Sequence, residues 1–259
     1  MTVSGINVEV QDKVLTISFD KPEKLNSIDR KGYRALGLVL RHAAKDDSVT
    51  IVVITGKGDF FTSGNDLSQV MDGSDIEAQI KEANDIFKEM VSALIECPKL
   101  TLALVNGPCI GIGATLAGLC DIVWCSSKAY FLTPFTKLGI VPESCSSYLF
   151  PLILGRSKAN EMLLLSQKLS AQEAYNFNFV SRVFEDNTLD SHIWPAIRDF
   201  SELPPESMKI SKSLIRMHEK EALYRALKAE SEELNKRFTT EEFANALVAF
   251  GSRKNKSKL

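Results

Sequence analysis

The sequence predicts an α/β fold built around a largely parallel β-sheet. In the first half of the chain, short apolar runs rich in β-branched residues alternate with longer segments of helical periodicity, which is the pattern of βαβ units. Helical patterns dominate the second half. The 259 residues, of which 44% are hydrophobic and 25% charged, are ample for a sizeable buried core.

The chain begins with the pattern of a β-hairpin, a loop and a helix. Apolar and polar residues alternate over Ile6–Val10, and a second apolar run covers Val14–Phe19. The segment Asp20–Asp29 carries proline and asparagine and is predicted to be a loop. One apolar face then predicts a helix, formed by Tyr33, Leu36, Val39, Leu40 and Ala43.

Two continuous apolar runs, Val49–Thr55 and Leu100–Val105, predict buried strands. A long helix is expected between them, and Pro98 closes it. Its apolar residues are Ile76, Ile80, Ala83, Phe87, Met90 and Leu94. A glycine turn, a short helix and a further strand should then follow, over Gly107–Gly113, Ala114–Leu119 and Asp121–Trp124.

After Leu132 the pattern is mostly helical. The segment Glu219–Arg237 is rich in Ala, Leu, Glu and Lys and predicts a surface helix whose charged residues face solvent. We expect a core over residues 1–200 and a helical region over 201–256, whose apolar faces could meet other subunits. The remaining predicted helices are Ser157–Leu165, Ala171–Phe177, Leu189–Phe200, Glu206–Met217 and Glu241–Phe250.

Composition excludes several classes of function. The formal net charge is −2 and both signs are spread along the chain, so the basic stripe of a nucleic-acid-binding protein is missing. No apolar stretch reaches the roughly 20 residues of a membrane span. The five cysteines have no CxxC spacing and no neighbouring histidine, which favours reduced core thiols in an intracellular protein and argues against a metal site.

The first segment with chemical potential is Phe60–Leu67. Its consecutive residues Ser63, Gly64, Asn65, Asp66 and Leu67 follow a buried strand and can turn sharply. Such a turn can leave backbone N–H groups pointing outward to bind an anion or a developing oxyanion. A plain Asx-type turn is the alternative.

The second segment is Val105–Ala114, between a predicted strand and a predicted helix. Its glycines, including Gly111, let the backbone approach a ligand, and a helix beginning near Ile112 would offer unpaired N–H groups. A dinucleotide fingerprint fails because Leu116 stands where its third glycine belongs, and no Gly-Lys-Ser/Thr follows for a P-loop. A tight packing turn is the alternative.

The third segment is Gly139–Tyr148. Pro142 and Glu143 have the pattern of a helix start, where proline and acidic residues are favoured. Glu143 could serve there only as a partner of the helix dipole. Alternatively, its apolar neighbours desolvate the carboxylate, which would raise its pKa and suit it for proton transfer.

Taken in this order, the three segments resemble the crotonase (enoyl-CoA hydratase/isomerase) family. The resemblance covers nearly the whole chain, from about Ile6 to about Phe250. Its most specific parts are Ser63-Gly64-Asn65-Asp66-Leu67, the glycine turn after Val105-Asn106-Gly107, Cys120-Asp121-Ile122 and the stretch from Leu169 to Val180.

The resemblance implies a crotonase (ClpP-like) fold of repeated ββα units with a C-terminal helical trimerisation region. It also implies that the backbone N–H groups of Asn65 and Ile112 bind the thioester oxygen of a fatty acyl-CoA, in an oxyanion hole. Substrate would be held there by residues Ser63, Gly64, Asn65, Asp66, Leu67, Gly111 and Ile112. No separate cofactor or metal is expected, since coenzyme A is part of the substrate, and the assembly would be a homotrimer or hexamer.

Departures from the family pattern narrow the expected reaction. Hydratases of the family carry two glutamates at positions that here are Thr115 and Phe135, so water addition is disfavoured. Glu143 instead resembles the acid of the Δ3,Δ2-enoyl-CoA isomerases, especially the peroxisomal type. It would be the single base that shifts the double bond of 3-enoyl-CoA to trans-2-enoyl-CoA in β-oxidation of unsaturated fatty acids. The alternatives are hydration, another crotonase reaction, or a non-catalytic acyl-CoA-binding module.

The last three residues, Ser257-Lys258-Leu259, match the tripeptide that the peroxisomal import receptor reads at a free C-terminus. A lysine-rich tail that ends this way by chance is the alternative. On a candidate enzyme of fatty acyl-CoA metabolism, the match favours a peroxisomal location.

Overall fold

A seven-stranded β-sheet forms the centre of the computed structural model, which describes residues 2–66 and 75–256. Its strand order is β1-β2-β3-β4-β5-β7-β10, and a small second sheet has the order β6-β8-β9. The strands are β1 (Thr2–Val3), β2 (Ile6–Gln11), β3 (Val14–Phe19), β4 (Ile51–Gly56), β5 (Leu100–Val105), β6 (Cys109–Ile110), β7 (Ile122–Ser126), β8 (Tyr130–Leu132), β9 (Leu169–Ser170) and β10 (Arg182–Phe184).

Strand direction changes at β3. The first three strands pair antiparallel, whereas β3, β4, β5, β7 and β10 pair parallel in that order. The predicted hairpin and the predicted parallel sheet are therefore both confirmed.

The central strands are apolar throughout because both faces of the sheet are covered. In β4, Val52 and Ile54 enter one core, while Ile51 and Val53 enter a second core on the opposite face. Trp124 of β7 joins the second core. This two-sided burial explains why these strands are continuous apolar runs in the sequence.

Ten α-helices surround the sheet in the described part of the chain. Short 3-10 turns at Pro22–Lys24 and Thr136–Leu138 and a π-helical turn at Leu189–Ile193 interrupt the loops. The helices are α1 (Arg30–Ala43), α2 (Ile76–Glu96), α3 (Ile112–Leu119), α4 (Ser146–Leu154), α5 (Arg156–Leu163), α6 (Ala171–Asn176), α7 (Trp194–Ser201), α8 (Pro205–Arg216), α9 (Lys220–Arg237) and α10 (Glu241–Lys256).

The predicted helix start at Pro142 and Glu143 is wrong, because α4 begins only at Ser146. Ser144 and Cys145 both adopt left-handed backbone conformations, with φ of 54° and 63°. Two successive left-handed residues cannot form part of a right-handed helix, so α4 cannot extend back to Pro142. Glu143 therefore lies on a turn before α4, which we call the Glu143 turn (residues 142–145).

The predicted helix over residues 219–237 exists as α9, but it does not lie with all its charges in solvent. Leu223, Leu227 and Leu234 are buried. Glu230 falls on the same stripe and is only 6% exposed. The prediction that the acidic residues of this helix face solvent is wrong at that position. The division between residues 1–200 and 201–256 stays a prediction.

Candidate active site

A cavity of about 140 Å³ lies between the start of α1, α2, the Glu143 turn and the two C-terminal helices. Polar groups cluster at one part of its lining and apolar side chains from α2, α9 and α10 form much of the rest. Its lining residues are Asp29, Arg30, Tyr33, Asn65, Asp66, Ile80, Ala83, Asn84, Phe87, Glu143, Leu234, Phe238, Phe243 and Leu247. A mostly apolar cavity with a few polar groups is the usual character of a small-molecule site.

Two backbone pairings fix the segment that we call the 63–66 loop. The N–H of Ile28 donates to Gly64 O at 2.9 Å, and the N–H of Asp66 donates to Ile28 O at 2.8 Å. On its other side, the N–H of Ile110 donates to Thr62 O at 3.0 Å. The loop is thereby held between the start of α1 and the glycine turn (residues 107–113).

Gly64 is required by this geometry. Its φ of 94° is a conformation that L side chains rarely adopt, and an added Cβ would lie 3.0 Å from Ile110 O. The N–H of the next residue, Asn65, has no hydrogen-bond partner among the described residues.

The glycine turn ends at the start of α3. Gly111 adopts a φ of 59°, and its N–H donates to Leu132 O at 2.8 Å. Ile112 is the first residue of α3, so its N–H has no intrahelical acceptor. A Cβ added at Gly111 would lie 3.8 Å from Gly64 Cα, which shows how closely the turn approaches the 63–66 loop. The N–H groups of Asn65 and Ile112 therefore lie on adjoining segments.

Glu143 is half-buried at the cavity wall. Burial, and secondarily the negative charge of Glu230, raises the pKa of Glu143 to about 8. Its carboxylate forms no hydrogen bond with any described residue. A carboxyl group with this pKa can take up and release protons near neutral pH.

Tyr33 connects α1 to the 63–66 loop. Its hydroxyl donates to Asn65 Oδ1 at 3.4 Å, and the side chain is buried. Burial, followed by the charges of Glu143 and Asp29, raises the pKa of Tyr33 well above 10. The hydroxyl thus stays protonated and acts as a hydrogen-bond donor.

Glu230 lies behind the Glu143 turn, outside the cavity lining, and it was not identified from the sequence. Its two carboxylate oxygens accept from the N–H groups of Cys145 and Ser147, at 2.7 and 2.8 Å. Glu230 thereby caps α4, whose own N-cap residue forms no side-chain cap. The sequence signal was its place on the apolar stripe of α9, between Leu227 and Leu234.

Of the predicted site residues, Asn65, Asp66 and Glu143 line the cavity. Ser63 and Gly64 precede them on the same loop, and Gly111 and Ile112 lie on the adjoining turn rather than in the cavity lining. Leu67 lies outside the described residues, as does Ser257-Lys258-Leu259. Other cavity-lining residues were missed as site residues, because their patterns mark ordinary helix faces: Tyr33, Ile80, Ala83, Asn84, Phe87, Leu234, Phe238, Phe243 and Leu247.

Both positions of the missing hydratase glutamates are buried. Thr115 Oγ1 donates to Ile112 O at 3.2 Å within the first turn of α3. Phe135 is 1% exposed and packs in the core. No carboxylate enters the site from either position.

Residues 2–66 and 75–256 contain no cluster of three or more His, Cys, Asp or Glu side chains that could hold a metal ion. None of the helices in these ranges combines the length and apolar character that crossing a membrane requires.

A family profile described as enoyl-CoA hydratase/isomerase matches residues 9–257. Enoyl-CoA delta isomerase 2 of Rattus norvegicus is 42% identical over 97% of this chain and 64% of its own length. Enoyl-CoA delta isomerase 3, peroxisomal, of Mus musculus is 41% identical over 98% of this chain and 80% of its own length. This chain thus spans less than two thirds of the rat protein.

The fold is also similar to solved structures. The crystal structure of enoyl-CoA hydratase/isomerase from Pseudoalteromonas atlantica T6c matches with a TM-score of 0.88 and 34% identity, over 96% of this chain and 97% of that one. The predicted crotonase fold is therefore confirmed. From its sequence profile, its relatives and its architecture, this chain belongs to the enoyl-CoA hydratase/isomerase family.

Proposed function

We propose that this protein is a Δ3,Δ2-enoyl-CoA isomerase, which converts a fatty 3-enoyl-CoA to the trans-2-enoyl-CoA. The observation that carries the proposal is Glu143, a carboxyl group with a pKa of about 8 at the wall of a largely apolar cavity. The rat and mouse relatives are both named enoyl-CoA delta isomerases, which supports the same reaction class.

Glu143 is the proposed base and acid. Its ionised carboxylate removes a proton from C2 of the 3-enoyl-CoA, and the electron pair spreads into a dienolate. The protonated carboxyl group then returns the proton to C4, which places the double bond between C2 and C3. The proton is transferred within the substrate, so the reaction balances without a redox cofactor or a metal.

The N–H groups of Asn65 and Ile112 form the proposed oxyanion hole. The dienolate carries its negative charge mainly on the thioester oxygen, where two aimed donors stabilise it more than they stabilise the neutral thioester. Neither N–H has another partner among the described residues, so both are available for this oxygen.

The apolar part of the cavity is the proposed site of the fatty acyl chain. Ile80 and Phe87 of α2 face Leu234 of α9 and Phe243 of α10 across it. Residues 63–67 and 111–112 would hold the thioester end. Hydration is disfavoured because Thr115 and Phe135 supply no carboxylate to hold and deprotonate water.

We further propose a peroxisomal location and a homotrimeric or hexameric assembly. The mouse relative carries "peroxisomal" in its name, and residues 257–259 match the sequence that the import receptor reads at a free C-terminus. Localisation of the protein with a fluorescent tag at the N-terminus, beside a version with Leu259 deleted, measures the first proposal. Sedimentation of the purified protein measures the second.

The function is tested by assaying 3-enoyl-CoA isomerisation beside 2-enoyl-CoA hydration. Glu143→Gln should lower kcat for isomerisation by about a thousandfold, since it removes the only proposed proton carrier. The Kd for 2-enoyl-CoA should stay within about threefold of wild type, because the cavity keeps its shape.

The matched control is Glu206→Gln, an exposed glutamate of α8 in a surface ion pair. It should behave as wild type in every assay. Wild-type isomerisation by Glu143→Gln, or faster hydration than isomerisation by the native protein, would contradict the proposal.

A further inference from the structure

Glu230 binds the Glu143 turn from a helix 85 residues further along the chain. Its Oε2 accepts from Cys145 N and its Oε1 accepts from Ser147 N, so both oxygens of the carboxylate are used. The thiol of Cys145 also points to α9 and donates to Leu223 O at 3.2 Å. The Glu143 turn and the first turn of α4 are thus tied to α9 by three contacts.

The backbone of the turn explains why an anion fits there. Ser144 and Cys145 adopt left-handed conformations, and the N–H groups of Cys145 and Ser147 both point to one carboxylate, so the backbone at the start of α4 forms an anion-binding concavity. The first N–H groups of a helix also need acceptors and favour negative charge. Without an acceptor, the two strained residues would have little to hold them in this conformation.

The choice of a buried carboxylate is unusual for a cap that only stabilises a helix. A serine or threonine at the N-cap would accept from the Ser147 N–H without burying a charge. Glu230 is only 6% exposed and forms no ion pair with any described residue. Burial raises the pKa of Glu230 and its hydrogen bonds with Ser147 and Cys145 lower it, and its negative charge lies close enough to raise the pKa of Glu143.

We propose that Glu230 is a positioning residue for the base, because its carboxylate fills the backbone concavity beside Glu143 and so fixes that side chain at the cavity wall. This inference rests on the proposed function of Glu143. Glu230 itself does not line the cavity and touches no substrate in this scheme.

The same carboxylate places a negative charge behind the base. Charged and titratable groups share the cavity with Glu143, namely Asp29, Arg30 and Tyr33 from the start of α1 and Asp66 from the 63–66 loop, while Glu230 acts on it from α9. Helices α2 and α10 contribute uncharged side chains to the cavity, namely Ile80, Ala83, Asn84, Phe87, Phe243 and Leu247. Because a nearby like charge disfavours ionisation, Glu230 makes Glu143 a stronger base.

Glu230→Gln separates positioning from mere folding. It keeps the size of the side chain, removes the charge and sets an NH₂ group against one of the two N–H donors. We expect the plateau of kcat/KM for isomerisation to fall by about tenfold or more. The acidic limb of the pH profile should also move about one unit lower. A purely structural cap would lower the plateau without moving the limb.

Glu230→Asp is the second variant, in case the amide variant does not fold. It keeps the charge but withdraws it by one methylene, so kcat should fall at least about fivefold while the Kd for 2-enoyl-CoA stays within about threefold. An unchanged kcat, or an equal loss of binding and turnover, would overturn the proposal. The matched control Glu232→Gln removes an exposed charge from the same helix and should change neither.

A titration of Glu143 by carboxyl ¹³C NMR tests the inference without turnover. The resonance is assigned by its loss in Glu143→Gln, and its midpoint should be lower in Glu230→Gln than in wild type. An unchanged midpoint would overturn the role of Glu230 even in an active isomerase. Absence of isomerisation by the native protein would instead contradict the proposed function and leave this titration to decide the effect of Glu230 on Glu143.

Discussion

Two helices begin beside the cavity, and they differ in whether a side chain of the protein binds their N-terminal N–H groups. Helix α3 starts at Ile112 after a glycine turn, and α4 starts at Ser146 after the Glu143 turn; neither has a side-chain cap from its own N-cap residue. The terminus of α4 is occupied by the carboxylate of Glu230, whereas the N–H of Ile112 has no acceptor among the described residues.

The difference shows that the attraction of a helix N-terminus for negative charge can serve two purposes. A helix N-terminus attracts negative charge wherever it lies. At α4 the protein supplies that charge itself and thereby fixes the turn of Glu143. At α3 no residue in the described part of the chain supplies one, so the N–H can bind a charge that develops on a ligand.

Among the tests of this comparison, the largest expected effect comes from displacing the N–H of Asn65, which lies beside the open terminus of α3. Gly64→Ala adds a Cβ 3.0 Å from Ile110 O in a backbone conformation unfavourable to alanine, so the N–H of Asn65 should be displaced from its place beside α3. We expect kcat to fall by about a hundredfold, as when one oxyanion donor is lost. Steady-state kinetics with 3-enoyl-CoA measure this.

Gly155→Ala is the control for this prediction. Its φ of 75° is as unfavourable to alanine, but no atom lies within 4 Å of the added Cβ. Kinetics of Gly155→Ala should match wild type. Equal losses in the two variants would mean that backbone strain alone, and not the oxyanion donor, lowers the rate.

The pH dependence of kcat/KM tests Glu143, whose turn leads into the occupied terminus of α4. Glu143 must be ionised to accept a proton, and its pKa is about 8, so kcat/KM should fall about tenfold per pH unit below that value. The value at pH 6 should be about a hundredfold below the plateau. Initial rates between pH 5.5 and 9.5 at constant ionic strength measure it. A profile that stays flat down to pH 6 would contradict a base with a raised pKa.

Hydrogen exchange compares the two termini directly. In the free protein, the amides of Cys145 and Ser147 should exchange slowly because Glu230 binds them, and those of Asn65 and Ile112 should exchange faster. Saturation with 2-enoyl-CoA should slow the latter pair by about tenfold and leave the former nearly unchanged. Amide-resolved NMR measures this, and equal slowing at all four sites would remove the distinction between an open and an occupied terminus.

The smallest expected effect comes from removing the hydrogen bond that Tyr33 donates to the side chain of Asn65. Tyr33→Phe removes the hydroxyl that donates to Asn65 Oδ1 over a long 3.4 Å. We expect kcat to fall about threefold, with little change in the Kd for 2-enoyl-CoA. A loss as large as that of Gly64→Ala would give Tyr33 a direct part in catalysis.

The sheet and the long helices were predictable because their signals are local. The runs of β4 and β5 and the apolar face of α1 can each be identified within about ten residues, and the structure has all three. Strands β8, β9 and β10 were missed because they have only three, two and three residues, too few to show an alternation.

The turns of the candidate site were predictable where glycine marks them. Gly64 and Gly111 stand in the two predicted turns, and both adopt positive φ in the structure. Glu230 could not be found in this way, since a glutamate in a helix rich in Glu and Lys normally faces solvent. Its partner, the turn before α4, depends on Ser144 and Cys145, which seldom adopt left-handed conformations and so gave no signal of a turn.

The contact between the glycine turn and the 63–66 loop also limits how this family can diverge. A Cβ at Gly113 would lie 2.3 Å from Thr62 Cγ2, while Thr62 Oγ1 donates to Asn26 O and accepts from Gly64 N. Serine at position 62 would keep both hydrogen bonds and remove the obstructing methyl group. Homologues with alanine at position 113 should therefore carry serine at position 62, so that the two positions change together during evolution.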